Sequence, residues 1–186
     1  MTTPSPQFCA RCGGALSARD LDGVSRPTCG GCGLVAYQNP VGASAGLVLR
    51  GEEVLLVQRG IEPFKGAWAI PAGYQDAGES PVEAAEREIL EETGVTVQAF
   101  MLLDLLWVPN DPRKPANVAL FACHPTGGEP RGADDAMDAR WFPLSGLPDE
   151  IAFDNRAQVF DRLCAGGDLR ARLDLIGGNS SSGFVD

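Results

Sequence analysis

Residues 73–95, GYQDAGESPVEAAEREILEETGV, run from one glycine through a helical stretch to another, and their reading decides how the rest of the chain is understood. Ser80 supplies an N-cap, Pro81 the first helical position and Glu83 the acidic end of an S-x-x-E capping box, while Gly94 follows Thr93 as a stop. The spacing predicts a helix over 81–93. Val82, Ala85 and Ile89 recur at i, i+3 and i+7 and form its expected packing face, whereas Glu88, Glu91 and Glu92 recur at i, i+3 and i+4 on another. Like charges so spaced each cost about 0.2–0.5 kcal/mol, and the last helical turn also disfavours anions. Glutamate-rich helices ordinarily carry lysine partners on a solvated face. This one has no lysine and only Arg87 as a basic residue, so a divalent cation accounts for the cluster better. Oxygen-only donors select a hard ion, Mg2+ or Mn2+, which keeps waters and bridges phosphate oxygens.

Working outward, 186 residues with 44% hydrophobic and 22% charged side chains suffice for one full domain and a small appendage. A net charge of -10 repels nucleic acid and anionic membranes, so neither DNA nor a membrane is an expected partner, and a phosphate-bearing ligand would need metal between it and the carboxylates. The opening MTTPSPQF has neither the basic start nor the apolar run of a signal peptide, and no stretch of eighteen apolar residues occurs, which makes a cytoplasmic protein the expectation. Six cysteines without an export signal point away from a disulfide framework. Four of them form two CxxC pairs, Cys9/Cys12 and Cys29/Cys32, amid Gly13, Gly14, Gly30, Gly31 and Gly33; this spacing suits tetrahedral zinc, with redox pairs or free thiols as the alternative. A module of about forty residues buries little core, so metal would supply most of its folding free energy. Residues 1–42 set Arg11, Arg19 and Arg26 against Asp20 and Asp22, and a Zn(Cys)4 centre adds two negative charges. Without a basic footprint the module reads as a structural or dimer-forming zinc ribbon over 1–40.

Beyond Asn39-Pro40 the chain turns to short apolar runs. Residues 43–49 and 54–57, joined by Arg50-Gly51-Glu52-Glu53, predict a β-hairpin; further strands are expected at 67–70, 95–108 (interrupted), 117–123 and 139–142, and a second helix at 155–165. Gly127, Gly128, Pro130 and Gly132 mark a loop, and GGNSSSG from Gly177 a mobile tail over 177–186, leaving 41–176 as the main domain.

Gly73-x5-Glu79-x7-Arg87-Glu88-Ile89-x-Glu91-Glu92-x-Gly94-Val95 resembles the box of the Nudix hydrolase superfamily, G-x5-E-x7-R-E-U-x-E-E-x-G-U with U aliphatic, at every position. Chance agreement of that many fixed residues is on the order of 10⁻⁶. The likeness extends over residues 40–165, with Gly66 to Gly73 like the family's lead-in and Ala139 to Leu144 like its closing strand. It implies an α+β fold, an α/β/α sandwich around a mixed sheet, here preceded by the ribbon. It further implies that Glu88, Glu91 and Glu92 hold metal together with the backbone carbonyl of Ala72, and that Arg87 pairs with Glu79 and orients the glutamates. Eight helical residues would separate that pair by about 12 Å, but Glu79 precedes the helix and is free to fold back. Glu88 is the first choice of base, and Asp135, on a later loop, stands where the family often has a glutamate. The implied reaction is metal-dependent hydrolysis of the pyrophosphate in a nucleoside diphosphate linked to another group, by a protein that related enzymes suggest is a homodimer.

A ribbon before such a domain resembles the NADH pyrophosphatase group, yet the Ser-Gln-Pro-Trp-Pro-Phe-Pro element of its NADH-selective members is absent from residues 96–109. That favours ADP-ribose, FAD or another dinucleotide-like metabolite over NADH. Phe64, Trp68 and Trp107 are candidate base-stacking residues, with core packing as the competing reading, and Arg113 with Lys114 could meet phosphate or solvent. His124 reads as a surface residue, and Cys123 and Cys164 as buried thiols. Two rival functions remain: a nucleotide-sensing regulator built on the same fold, and a pyrophosphohydrolase of nucleoside triphosphates or RNA 5′ ends.

Overall fold

The computed structural model describes residues 6–109, 114–163 and 166–177, and the chain falls into two compact units that part after Pro40. In the first, β1 (Leu16–Leu21) and β2 (Val24–Cys29) form an antiparallel hairpin. Asp22 and Gly23 turn it, both at positive φ (55° and 78°), as a two-residue Asp-Gly hairpin loop requires. On either side of the hairpin lies a C-x-x-C-G knuckle. The N–H of Gly13 donates to the C=O of Cys9, and that of Gly33 to the C=O of Cys29. Both glycines are left-handed, at φ 72° and 74°. Nothing in the strand periodicity of this segment announces the hairpin; the Asp-Gly pair is the signal that does.

The second unit begins with β3 (Val41–Arg50) and β4 (Glu53–Arg59), the expected hairpin. Its strands pair only beside the turn, at Leu49↔Val54 and Arg50↔Glu53, and then diverge. The segment 68–74 bridges the opening: β5 (Trp68–Ala69) pairs with β4, and after Ile70-Pro71 β6 (Ala72–Tyr74) pairs with β3. Helix α1 (Pro81–Thr93) follows, then β7 (Thr96–Val108) and β8 (Ala116–Gly127), an antiparallel pair. β8 lies parallel to β3, and β9 (Ala136–Pro143) returns antiparallel to β4, so the sheet is mixed. A π-helical turn, Arg156–Phe160, runs into the short α2 (Asp161–Leu163), and α3 (Asp168–Gly177) closes the described chain.

Alternation along β3 sets the layers. Leu47 points to one side, where Leu56, Leu103 and Leu120 meet Val159, Phe160, Leu163 and Leu169 of the C-terminal helices. Val48 points to the other, where Leu55, Val95 and Phe121 meet Ala85 and Ile89 of α1. This is the expected α/β/α sandwich. Close approach of α1 depends on Gly46: a Cβ there would lie 2.2 Å from Cδ1 of Ile89.

Two expectations need correction, and one element was not anticipated. Val82 is exposed rather than packed, and the buried face of α1 is Ala84, Ala85, Ile89, Glu92 and Thr93; the helix thus turns one of its glutamates inward. β7 is one strand rather than two, its irregularities absorbed by register shifts at Thr96/Val97, Ala99/Met101 and Leu102/Asp104. Helix α3 falls where the sequence reading assigned no element, although Leu169, Leu173 and Ile176 recur at i, i+4 and i+7; its N-terminal Asp168 is tied down electrostatically. Arg162 donates from Nε and Nη2 to both oxygens of Asp168 (2.8 and 2.7 Å) and from Nη1 to Asp104 on β7 (2.7 Å). The expected tail, apart from Gly177, lies outside the described residues, as does Cys164. No described helix is long and apolar enough to cross a membrane.

Arg162 holds the Asp168 carboxyl down to about 2 and lowers that of Asp104 as well. Carboxylates depressed in the folded state add stability above their unfolded pKa, near 4, and lose it as pH falls towards the folded value. Arg162→Met should therefore lower Tm at pH 7, with the gap to wild type closing between about pH 4 and pH 2 in thermal melts; a gap independent of pH would assign the loss to packing alone.

Candidate active site

Helix α1 starts where the sequence places it. Ser80 Oγ accepts from the N–H of Glu83 (3.3 Å) while Glu83 Oε2 accepts from that of Ser80 (2.7 Å), and Gly94 ends the helix at φ 71°. Two carbonyls of the last turn are taken by the loop after β8: Arg131 N–H donates to the C=O of Thr93 and Ala133 N–H to that of Glu92. That loop carries Asp135 to the acidic side of the helix.

The strand β6 lies along the other side. Gly46 N–H donates to Pro71 C=O and Gln75 N–H to Gly42 C=O, so residues 71 and 75 face β3. By alternation the peptide groups of Ala72 and Tyr74 turn towards α1. Ala72 N–H donates to Oε2 of Glu92 (3.0 Å), and Tyr74 C=O accepts from Nη2 of Arg87 (3.1 Å). Between them Gly73 has no side chain, and the Glu88 carboxylate fills the space: a Cβ would lie 2.1 Å from its Cδ.

Arg87 spends all five of its N–H donors. Nε and Nη2 fork onto Glu79 (3.0 and 2.7 Å), Nη1 reaches both Glu88 Oε1 (2.8 Å) and Glu91 Oε2 (2.9 Å), and the remaining Nη2 hydrogen goes to Tyr74. Glu79 does fold back, anchored by Asp76 N–H (2.6 Å). The result is a steep gradient in acidity. Arg87 pulls Glu79 down to about 2, whereas burial raises Glu88 and raises Glu92 well above the ordinary range. Burial outweighs mutual repulsion in both; for Glu92 the charge of Asp135 comes second. Glu91 remains largely exposed.

Of the proposed stacking residues, Trp68 sits edge-on to Phe142 (centroids 4.6 Å apart) against the core, whereas Phe64 and Trp107 are exposed at 46% and 48%. Arg113 lies outside the described residues, and Lys114 is exposed. His124 is exposed and stacks on Phe100 at 4.1 Å; Cys123 is buried, which pushes its thiol up to about 12.

In the first unit the sulfurs of Cys9, Cys12, Cys29 and Cys32 all lie within 4.8 Å of one another, the only such donor group among the described residues. Cys9 Sγ is 3.6 Å from Cys32 Sγ, and Cys12 Sγ 3.5 Å from Cys29 Sγ. These separations are far beyond an S–S bond of about 2.05 Å and near the edge of a tetrahedron with metal–sulfur bonds of about 2.3 Å. The N–H groups of Cys32 and Gly31, together with the Cys12 thiol, lower Cys29 to about 6.

A capped helix bearing R-E-x-x-E-E, laid across a glycine of a mixed sheet and clamped by an upstream glutamate, defines the Nudix class of phosphoanhydride hydrolase folds. The chain belongs to that family: the NUDIX domain profile matches residues 40–163. It is 37% identical over 126 residues to a Methanocaldococcus jannaschii protein named ADP-ribose pyrophosphatase, covering 67% of this chain and 74% of that one. It is 34% identical over 143 residues to the NAD-capped RNA hydrolase NudC of Pseudomonas aeruginosa, of which it spans about half (49%). Among solved structures, a NUDIX hydrolase from Nitrosomonas europaea superposes with a TM-score of 0.76 at 27% identity, covering 87% of this chain and 94% of that one.

Sequence reasoning named Gly73 but missed what it does. Its absent side chain is the seat of Glu88, so Gly73→Ala should cut hydrolytic turnover by about 100-fold or more while the circular dichroism spectrum stays unchanged. Turnover within a fewfold of wild type would show that Glu88 does not need that seat.

Proposed function

We propose that this protein hydrolyses the pyrophosphate of a nucleoside diphosphate linked to another group, of which ADP-ribose is the leading candidate, in a Mg2+- or Mn2+-dependent reaction. One observation carries the reading. Glu88 and Glu92 are held beside Asp135, with their pKa values raised, while the Arg87 guanidinium has no donor left for substrate. Such an oxygen-only, underneutralised set fits a hard divalent cation. Glu88, Glu91 and Glu92, with the carbonyl of Ala72 on the same side of β6, would hold it, and it would neutralise phosphate oxygens and acidify the attacking water.

The protein's own part is positional and basic. Water adds through oxygen to one phosphorus, its proton passes to Glu88, and the P–O bond to the departing phosphate breaks, giving a nucleoside monophosphate and a phosphorylated product. A carboxylate raised by burial is a stronger base for that proton than an exposed one. Arg87 fixes Glu88 against Glu79 and does not touch substrate. The name borne by the Methanocaldococcus relative supports ADP-ribose, and the absent NADH element supports it over NADH. The four thiolates of the first unit would bind one structural zinc.

A product-resolved screen with Mg2+ and Mn2+ over ADP-ribose, FAD, NADH, NAD-capped RNA and nucleoside triphosphates tests the reading. AMP and ribose 5-phosphate from ADP-ribose are expected; nucleotide binding with no turnover would favour a sensor, and pyrophosphate released from triphosphates the other rival. Glu92→Gln keeps an acceptor for Ala72 N–H, so its fold should survive while turnover drops by at least about 100-fold. For the ribbon, elemental analysis should find one zinc per chain in wild type and none in Cys9→Ser, and a metal-free wild type with an unaltered fold would refute zinc as its staple.

A further inference from the structure

Next to the carboxylates, the loop between β4 and β5 holds an aromatic ring at the surface. Arg59 closes this loop at its base, donating its N–H to Ala67 C=O (2.9 Å) and accepting from Gly66 N–H (2.8 Å). Its Nε reaches Pro63 C=O (2.7 Å), and Gln58 Nε2 donates to Gly66 C=O (2.9 Å). Inside the loop Phe64 sits at φ 64°, a region bulky side chains rarely enter. Its ring meets that of Phe153 edge to face, with centroids 5.0 Å apart, and the Arg59 guanidinium lies 4.6 Å over the same Phe153 ring.

Phe153 comes from a distant segment fixed by three bonds, Trp68 N–H to Glu150 C=O (2.9 Å), Ala152 N–H to Trp68 C=O (2.8 Å) and Ile70 N–H to Asn155 Oδ1 (3.1 Å). It too has positive φ, at 56°, and so does Asp154 at 55°. Strained residues brought together from two segments mark a place the fold maintains for use rather than for packing. Phe64 is not filling a core. The small cluster beneath is Val57, Ala69, Ala139 and Ala152, already buried, and the Phe64 ring stays 46% exposed. Gly60, which opens the loop, donates its N–H to Asp135 C=O (2.7 Å), and two residues earlier Ala133 N–H donates to the C=O of Glu92 (3.2 Å). Ring and carboxylates are therefore anchored to a common loop.

We propose that Phe64 is the stacking face for the flat base of the substrate, with Phe153 as its backing and Arg59 as the residue that positions both. The assignment rests on the hydrolase reading and adds to it a basis for selection: an aromatic face favours base-bearing diphosphates over base-free sugar diphosphates, and is tolerant of which base it meets. Arg59 acts through the Phe153 ring and the loop carbonyl it holds.

Steady-state kinetics with two substrates tests this. Phe64→Ala should raise KM for ADP-ribose about tenfold, leave kcat within twofold, and leave hydrolysis of base-free phosphoribosyl pyrophosphate unchanged; Phe64→Tyr should match wild type. Arg59→Met should reproduce the ADP-ribose KM effect, and Arg59→Lys, which keeps a cation over Phe153, should recover part of it. Equal losses on both substrates, or no change in KM, would overturn the assignment. A binding measurement separates its fate from that of the hydrolase reading. Titrating metal-free Phe64→Trp with AMP should quench its fluorescence beyond any change in the wild type measured alongside. Quenching in a protein without turnover would leave the stacking face standing and remove the hydrolase, while turnover without quenching would do the reverse.

Discussion

Arg87 is the one cation paired with Glu79, Glu88 and Glu91 among the described residues, and it bonds all three with one planar fork and still reaches the backbone of Tyr74. A lysine, with a single point of charge and three donors, could not hold so many partners in fixed directions. Through this one side chain the loop before α1, the helix and the edge strand become a single unit. The same contact separates the glutamates chemically. Glu79, given the bidentate face, is held well below the usual carboxylate range, while Glu88 and Glu92, pressed against β6, are raised by burial.

That pressing is possible because of how the sheet opens. β3 and β4 share only two residue pairs next to their turn, and the strand segments on either side of Pro71 fill the gap, one on each arm. Every second peptide of β6 then faces the helix instead of the sheet. With Gly73 at the crossing, carboxylate and backbone meet at a distance that any side chain would forbid. The Asp135 loop completes the arrangement from the opposite end of α1, where its N–H groups quench the helix carbonyls that would otherwise repel an acidic neighbour.

Much of this was legible before any coordinates. The helix from Ser80 to Gly94 is written in cap residues whose chemistry is local, so its limits agree with the structure to the residue. The hairpin at Gly51 and the mixed, layered architecture followed from alternation and from the box. What local chemistry could not supply was direction. Helical periodicity placed Val82 inside and Glu92 outside with its fellow glutamates, yet a buried carboxylate depends on one N–H from a strand twenty residues earlier in the chain. The hairpin of the first unit is held by a two-residue turn between knuckles and leaves no hydrophobic period to read. Helix α3 does carry one, Leu169, Leu173 and Ile176, but it is short and follows the glycine pair 166–167, and its start is fixed by an arginine that bridges two aspartates.

The parallel pairing of β3 with β8 joins residues about 75 positions apart, Val41 with Ala116. Closing so long an excursion is slow, and α1 with its local caps can form well before it. Until the sheet is assembled, however, the glutamates have no strand to lean on and remain ordinary solvated acids. During synthesis and refolding the close set of carboxylates therefore does not exist on the nascent helix, and it comes into being only with the finished fold.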